Sequence, residues 1–139
     1  MIREIMKDPM FLQAKSVDAT SADKEVIQDL LDTIMAHKDH CVGMAANMIG
    51  VHKNIIIFWD DIMKDYQIML NPSIMKTSGQ KYEVEEGCLS LSGERKTVRY
   101  SKIKVRYFDC DMKVKIKSYD GFTAQIIQHE IDHCKGILI

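Results

Sequence analysis

Asp120-Gly121-Phe122-Thr123-Ala124-Gln125-Ile126-Ile127-Gln128-His129-Glu130-Ile131-Asp132-His133-Cys134-Lys135-Gly136 lies near the end of the chain and reads as one helix with its boundaries. Asp120 is a residue type that caps a helix start, and Gly136 is placed to end one, so the spacing predicts a helix from Gly121 to about Cys134. Inside it stands H-E-x-x-H. A four-residue interval puts His129 and His133 on one helical face about a turn apart, a geometry that suits chelation of one metal ion. Glu130, beside the first histidine, can act as general base toward a water that such an ion acidifies.

Upstream of this helix the period changes. Lys102-Ile103-Lys104-Val105-Arg106-Tyr107 and Lys113-Val114-Lys115-Ile116-Lys117 alternate, and residues 109–112 can turn the chain, which predicts an antiparallel hairpin with one wet, basic face. Asn54 to Trp59 is a β-branched and aromatic run, and Tyr66 to Leu70 is another, closed by Asn71-Pro72; both are expected to be strands. Near the start, Thr20 or Ser21 reads as an N-cap. Val26, Ile27, Leu30, Leu31, Ile34 and Met35 then recur with helical period, predicting a helix over about 22–38. Strands flanked by one early and one late helix give an α+β fold, and with no repeat, linker or low-complexity tract the expectation is one domain over 1–139.

The 139 residues carry 19 basic and 20 acidic side chains, a net charge of −1, so neither a nucleic-acid patch nor a charged membrane partner is implied. The amino-terminal stretch is interrupted by charges and lacks a signal-type apolar core, and no segment is long enough for a membrane span. A cytoplasmic location follows as an expectation. The four cysteines, at 41, 88, 110 and 134, lack CxxC spacing and point to free or ligating thiols. The ten methionines read as adaptable core filler.

A catalytic site of tetrahedral type needs three protein ligands and one open position, so a third ligand must join His129 and His133. His37, His40, His52, the carboxylates and the cysteines are all candidates on chemistry alone. Structural or surface roles are the default for the three histidines. Cys110 and Cys134 read as ordinary thiols, Cys134 pointing away from the face of His129 and His133.

Gly43-Met44-Ala45-Ala46, Glu86-Gly87-Cys88-Leu89-Ser90 and His129-Glu130-Ile131-Asp132-His133, in that order and at these separations, resemble the three motifs of peptide deformylases. The resemblance implies antiparallel β-sheets packed around a central C-terminal helix that carries H-E-x-x-H, with one N-terminal helix. It implies hydrolysis of the N-formyl group of N-formylmethionyl peptides, with release of formate. The metal ligands then map onto Cys88, His129 and His133, and the acid–base onto Glu130. Fe²⁺ is the ion the resemblance favours, with Zn²⁺, Ni²⁺ or Co²⁺ also accepted by a thiolate and two imidazoles. N-formylated nascent peptides are the implied partners, and the ribosome is a candidate partner.

Further roles follow from the same likeness. The backbone N–H of Leu89 would help stabilise the oxyanion. Gly43 and Gly87 would allow close backbone approach, or simply turn the chain; Ile126, Gln125 and Phe122 stand one and two turns before His129, so Val42, Phe122 and Ile126 would line the pocket for the methionine side chain or belong to the core, with Gln125 a polar exception. Two departures stand in the first motif. Cys41 replaces a glycine, and Met48 stands where the family has a glutamine whose amide holds the formyl oxygen; a thioether cannot donate that hydrogen bond. After Ser90, Leu91-Ser92-Gly93 replaces an apolar residue and proline. A deformylase-like paralogue with weak activity or another N-acyl-peptide substrate is one alternative, and a non-catalytic metal- or peptide-binding domain another. Retention of Glu130 argues against the latter, since a structural site needs a fourth ligand rather than a base.

Overall fold

The computed structural model describes residues 1–139. One turn of helix, α1 (Pro9–Leu12), precedes α2 (Lys24–Ala36); β1 (Gly43–Ala45), β2 (Ile55–Asp60), β3 (Asp65–Cys88), β4 (Leu91–Phe108) and β5 (Val114–Asp120) follow, and α3 (Gly121–Cys134) closes the order. The five strands form one antiparallel sheet in sequence order, β1-β2-β3-β4-β5.

The run Ile55-Ile56-Ile57-Phe58 is apolar without alternation because β2 is covered on both faces. Ile55 and Ile57 join Leu30, Ile34, Met44 and Met48 on the α2 side, whereas Ile56 and Phe58 join Ile126, Ile127 and Ile131 on the α3 side. β2 thus forms the partition between two half-cores, and each helix covers one side of it.

The first helix begins later than its apolar pattern suggests. Thr20 and Asp23 form a reciprocal cap around a single 3₁₀ turn, in which the Asp23 carboxylate accepts from the Thr20 N–H at 2.8 Å, and α-helical geometry starts at Lys24. Leu30 and Ile34 are buried at the centre of the stripe, but Met35, expected on the same stripe, is exposed.

Asn71-Pro72 does not end a strand. β3 runs on to Cys88 through a bulge between Leu70 and Ser73, where proline owes the ladder no donor. Asn71 adopts a left-handed φ of 51° there, and its amide clips the chain start by accepting from Ala19 N–H at 2.7 Å and donating to Ala19 C=O at 3.0 Å. The β4–β5 hairpin forms, with Ile103 and Val105 buried and Lys102, Lys104 and Arg106 exposed. Its basic face is not continuous, however. The register pairs Val105 with Lys117 and Arg106 with Ile116, so in β5 the exposed Val114 and Ile116 share the face of the β4 lysines. As an edge strand with little to cover it, β5 has no core to sort its residues.

α3 spans the predicted residues. Asp120 occupies the N-cap position with extended backbone but makes no side-chain cap bond, in contrast to expectation. Gly136, at φ 77°, ends the helix: its N–H and that of Ile137 reach back to His133 and Asp132 carbonyls, each at 3.0 Å, closing a Schellman turn.

Candidate active site

Two elements present the candidate ligands. His129 and His133 project from the buried side of α3, their rings 4.5 Å apart, and Cys88 is the last residue of β3, just before a two-residue turn into β4. One ligand atom from each of Cys88, His129 and His133 lies within 4.8 Å of the others. A thiol and two imidazoles are donors that borderline divalent ions accept, and three protein ligands leave a catalytic site its open position. The residues present therefore fit the implied metal.

The neighbours hold these groups in orientation. His129 Nδ1 donates to Glu86 Oε1 at 2.8 Å, and Arg99 grips Glu86 from behind, Nη2 to Oε1 at 2.7 Å and Nε to Oε2 at 3.1 Å. Arg99 Nη1 also donates to Asp132 Oδ2 at 2.6 Å, which ties β4 to α3. His133 Nδ1 donates to Glu130 Oε1 at 2.8 Å. The other side of the Glu130 carboxylate faces β1: a Cβ added to Gly43 would meet Glu130 Oε2 at 2.8 Å and Ile126 Cγ2 at 2.6 Å. Only glycine lets α3 approach β1 this closely.

Protonation follows from these contacts. Burial alone would raise the Cys88 thiol, yet hydrogen bonds from His129 and His133 outweigh it and bring the group down to about 6, so the thiolate dominates near neutrality. Burial would lower the imidazoles, but Cys88 and Glu86 raise His129 to about 9, and Glu130 and Cys88 raise His133 to about 10. Glu86, whose burial would raise it, is held at about 2 by His129 and Arg99.

A groove of about 490 Å³ opens beside this cluster. It is lined by Val42, Gly43, Met48, Gly87, Cys88, Leu89, Phe122, Ile126, His129 and Glu130, which brings together the residues singled out from the sequence except His133, which lies behind them. Cys41 borders it as well; burial pushes its thiol up to about 12, with the Glu130 carboxylate adding to the effect, and its Sγ donates to Gly43 C=O at 2.9 Å. Met48 is fully buried and packs into the α2-side half-core. Its neighbour Asn47 donates through Nδ2 to His133 C=O at 2.9 Å and does not line the groove, so no side-chain amide takes the place of the absent glutamine. Gln125 is less of an exception than its polarity suggests, because both ends of its amide are engaged: Oε1 accepts from Tyr82 OH at 3.0 Å and Nε2 donates to Glu86 Oε2 at 2.9 Å.

The sequence profile of the family described as Polypeptide deformylase matches residues 1–139. The chain belongs to the polypeptide deformylase family. The peptide deformylase of Clostridium beijerinckii is 52% identical over 139 residues, covering 100% of both chains. That of Cytophaga hutchinsonii is 34% identical over 134 residues, covering 83% of this chain and 73% of the relative. Among solved structures, a peptide deformylase from Legionella pneumophila, 32% identical, superposes with a TM-score of 0.87 over 99% of this chain and 83% of that one. The actinonin-bound class I type b enzyme of Acinetobacter baumannii gives 0.87 at 26% identity, over 99% and 95% of the two chains. The protein is thus a metal-dependent deformylase that removes N-formyl groups from nascent peptides. The paralogue and binding-domain readings find no support in these matches.

Set beside the deformylase motifs, several residues of the site carried no sequence signal of their own. Glu86 was visible only as the first letter of E-G-C-L-S, although a carboxylate two residues from a ligand is a natural imidazole partner. Arg99, Tyr82 and Asn47 join the site from remote positions. Of the spare histidines, His37 ends α2, His52 stacks on Phe11 at 3.9 Å and bonds its C=O, and His40 lies at the rim of the groove. Cys134 is buried in the α3-side half-core and Cys110 is exposed, away from the metal ligands.

Proposed function

We propose that this deformylase works as a single catalytic domain over 1–139, in which Cys88, His129 and His133 hold one divalent ion, Fe²⁺ natively, and Glu130 is the acid–base. Zn²⁺, Ni²⁺ and Co²⁺ suit the same donors. The observation that carries the reading is the convergence of three donor atoms within 4.8 Å, with Glu130 beside them on the groove. When bound, the ion supplies Lewis acidity toward the formyl oxygen and makes water a stronger acid.

Glu130 takes the proton of the attacking water and returns it to the peptide nitrogen as the C–N bond of the formamide breaks. His133 Nδ1 orients the carboxylate, and the missing side chain of Gly43 leaves room for it. The Leu89 N–H donates to the oxygen on which charge develops. Val42, Phe122 and Ile126 receive the methionine side chain, Gln125 adding its methylenes since its amide is already satisfied. Gly43 and Gly87 border the groove along which the substrate backbone lies, and Met48 adds an apolar surface but no donor. Because the substrate is nascent, we place the enzyme in the cytoplasm near the ribosome; no helix is long and apolar enough to cross a membrane.

The test is formate release from formyl-Met-Ala-Ser by protein purified anaerobically with iron. Glu130→Ala should lower kcat about 10³-fold, within the range lost with a general base, while metal content stays stoichiometric. Release by the wild type no greater than by Glu130→Ala, in every metal form, would overturn the assignment.

A further inference from the structure

A second groove, of about 740 Å³, borders the first at Phe122, which lines both. Two walls of the first groove lead away from the metal ligands in the same sense, α3 from His129 back to Gln125 and β3 from Glu86 back to Tyr82, since His129 and Gln125 bond Glu86 and Gln125 bonds Tyr82. The far end of β1 is tied to the far end of β2, since Val42 C=O accepts from Trp59 N–H at 2.8 Å, and the turn that follows β2 carries Ile62 and Met63. These two side chains and Phe122 are 87%, 58% and 62% exposed, and all three line the second groove.

Length decides which part of a substrate arrives there. The seven helical positions from His129 to Phe122 rise about 10 Å. An extended peptide advances about 3.3 Å per residue, so with its formyl group at the metal ligands and its methionine side chain reaching Phe122, a backbone running along α3 would pass that ring at about its third residue.

Charge distinguishes the second groove. Lys76, Lys102, Lys104 and Lys117 line this groove, and none of them pairs with a carboxylate. Of the acidic residues there, Asp60 is buried and accepts from the N–H groups of Ile62 and Met63, and Asp61 pairs with Lys64 at 2.9 Å. Asp120 alone among these acidic residues is left without a partner, against lysines that border the groove from both faces of the sheet, Lys76, Lys102 and Lys104 from one and Lys117 from the other.

We propose that the second groove extends the substrate track, receives the fourth and following residues of the nascent peptide, and favours acidic and apolar side chains among them. The proposal rests on the deformylase reading of the first groove. It is tested with formyl-Met-Ala-Ser carrying either a Glu-Leu-Glu-Glu or a Lys-Leu-Lys-Lys tail. At low salt, kcat/KM should favour the acidic tail about tenfold, chiefly through KM, and the preference should shrink at about 0.5 M salt. Lys104→Glu with Lys117→Glu should abolish or invert it. Ile62→Ser with Met63→Ser should lower both tailed substrates about threefold relative to the tripeptide. Equal values for the two tails, or a preference that survives charge reversal, would overturn the proposal. Fluorescence anisotropy of the matching product peptides reads the same preference without turnover. Absence of formate from every substrate therefore counts against the deformylase reading, and equal binding of the two products counts against the groove.

Discussion

On the metal-facing wall of the catalytic groove, His129 is held by Glu86, Glu86 by Arg99 and Gln125, and Arg99 by Asp132, while the opposite wall, residues 41–48, offers Cys41, Gly43 and Met48. The first wall is a network of satisfied polar groups drawn from β3, β4 and α3. The second is a short strand and a 3₁₀ turn whose side chains are buried in apolar packing, Met48 among them. The candidate ligands thus draw on long-range polar support, whereas the opposite wall meets α3 through the bare Gly43 and the Asn47 amide and carries a thioether at Met48 within apolar packing.

The metal-facing wall is broken most completely at Cys88. Cys88→Ser replaces a thiolate available near neutrality with a hydroxyl that stays protonated, so metal content after dialysis and formate release should both fall below about a tenth of wild type. Retention of stoichiometric metal would show that the third ligand lies elsewhere.

A smaller effect is expected one bond further out. Glu86→Gln keeps an acceptor for His129 but removes the charge that Arg99 grips, and metal should bind about 10–100-fold more weakly, as when an outer partner of a ligand is lost. Its pH dependence has a definite sign. The native pKa of Glu86, about 2, lies below the ordinary 4.5, so its charge adds stability that is fully present above pH 4.5 and is lost as pH falls toward 2. The Tm gap between wild type and Glu86→Gln should therefore be constant near neutrality and narrow from pH 4.5 downward. A gap that widens in acid would contradict the ion-pair account.

How much of this was legible in the chain follows from the range of each interaction. The H-E-x-x-H pair and its helix could be read directly, because the four-residue interval and the glycine stop at Gly136 are local, whereas Asn54 to Trp59 reads as a strand without showing that both its faces are covered. Cys88 could not be chosen among the spare cysteines and histidines on chemistry alone; the E-G-C-L-S motif selected it. Arg99 and Tyr82 meet Glu86 and Gln125 only because β3 and β4 pair over their full length, and that length was hidden by Asn71-Pro72 and by a mostly exposed stretch from Met75 to Glu85 with no apolar period to mark it. β5 misled for the opposite reason: its alternation is real, but at an edge it sorts nothing.

The opposite wall is sharpened by giving back the donor it lacks. Met48→Gln places a carboxamide at the rim of the groove, where loss of an oxyanion donor elsewhere costs about 10²–10³ in rate. Met48 is only 1% exposed and belongs to the half-core of Leu30, Ile34 and Ile57, so an amide introduced there is buried in largely apolar packing. The free enzyme should then lose about 1–3 kcal/mol from the unpaired group, a Tm drop of several degrees, while kcat rises about tenfold with little change in KM. If formate release is unchanged and only the Tm falls, the introduced amide does not reach the reacting carbonyl, and Met48 serves the half-core behind the groove rather than the chemistry in it.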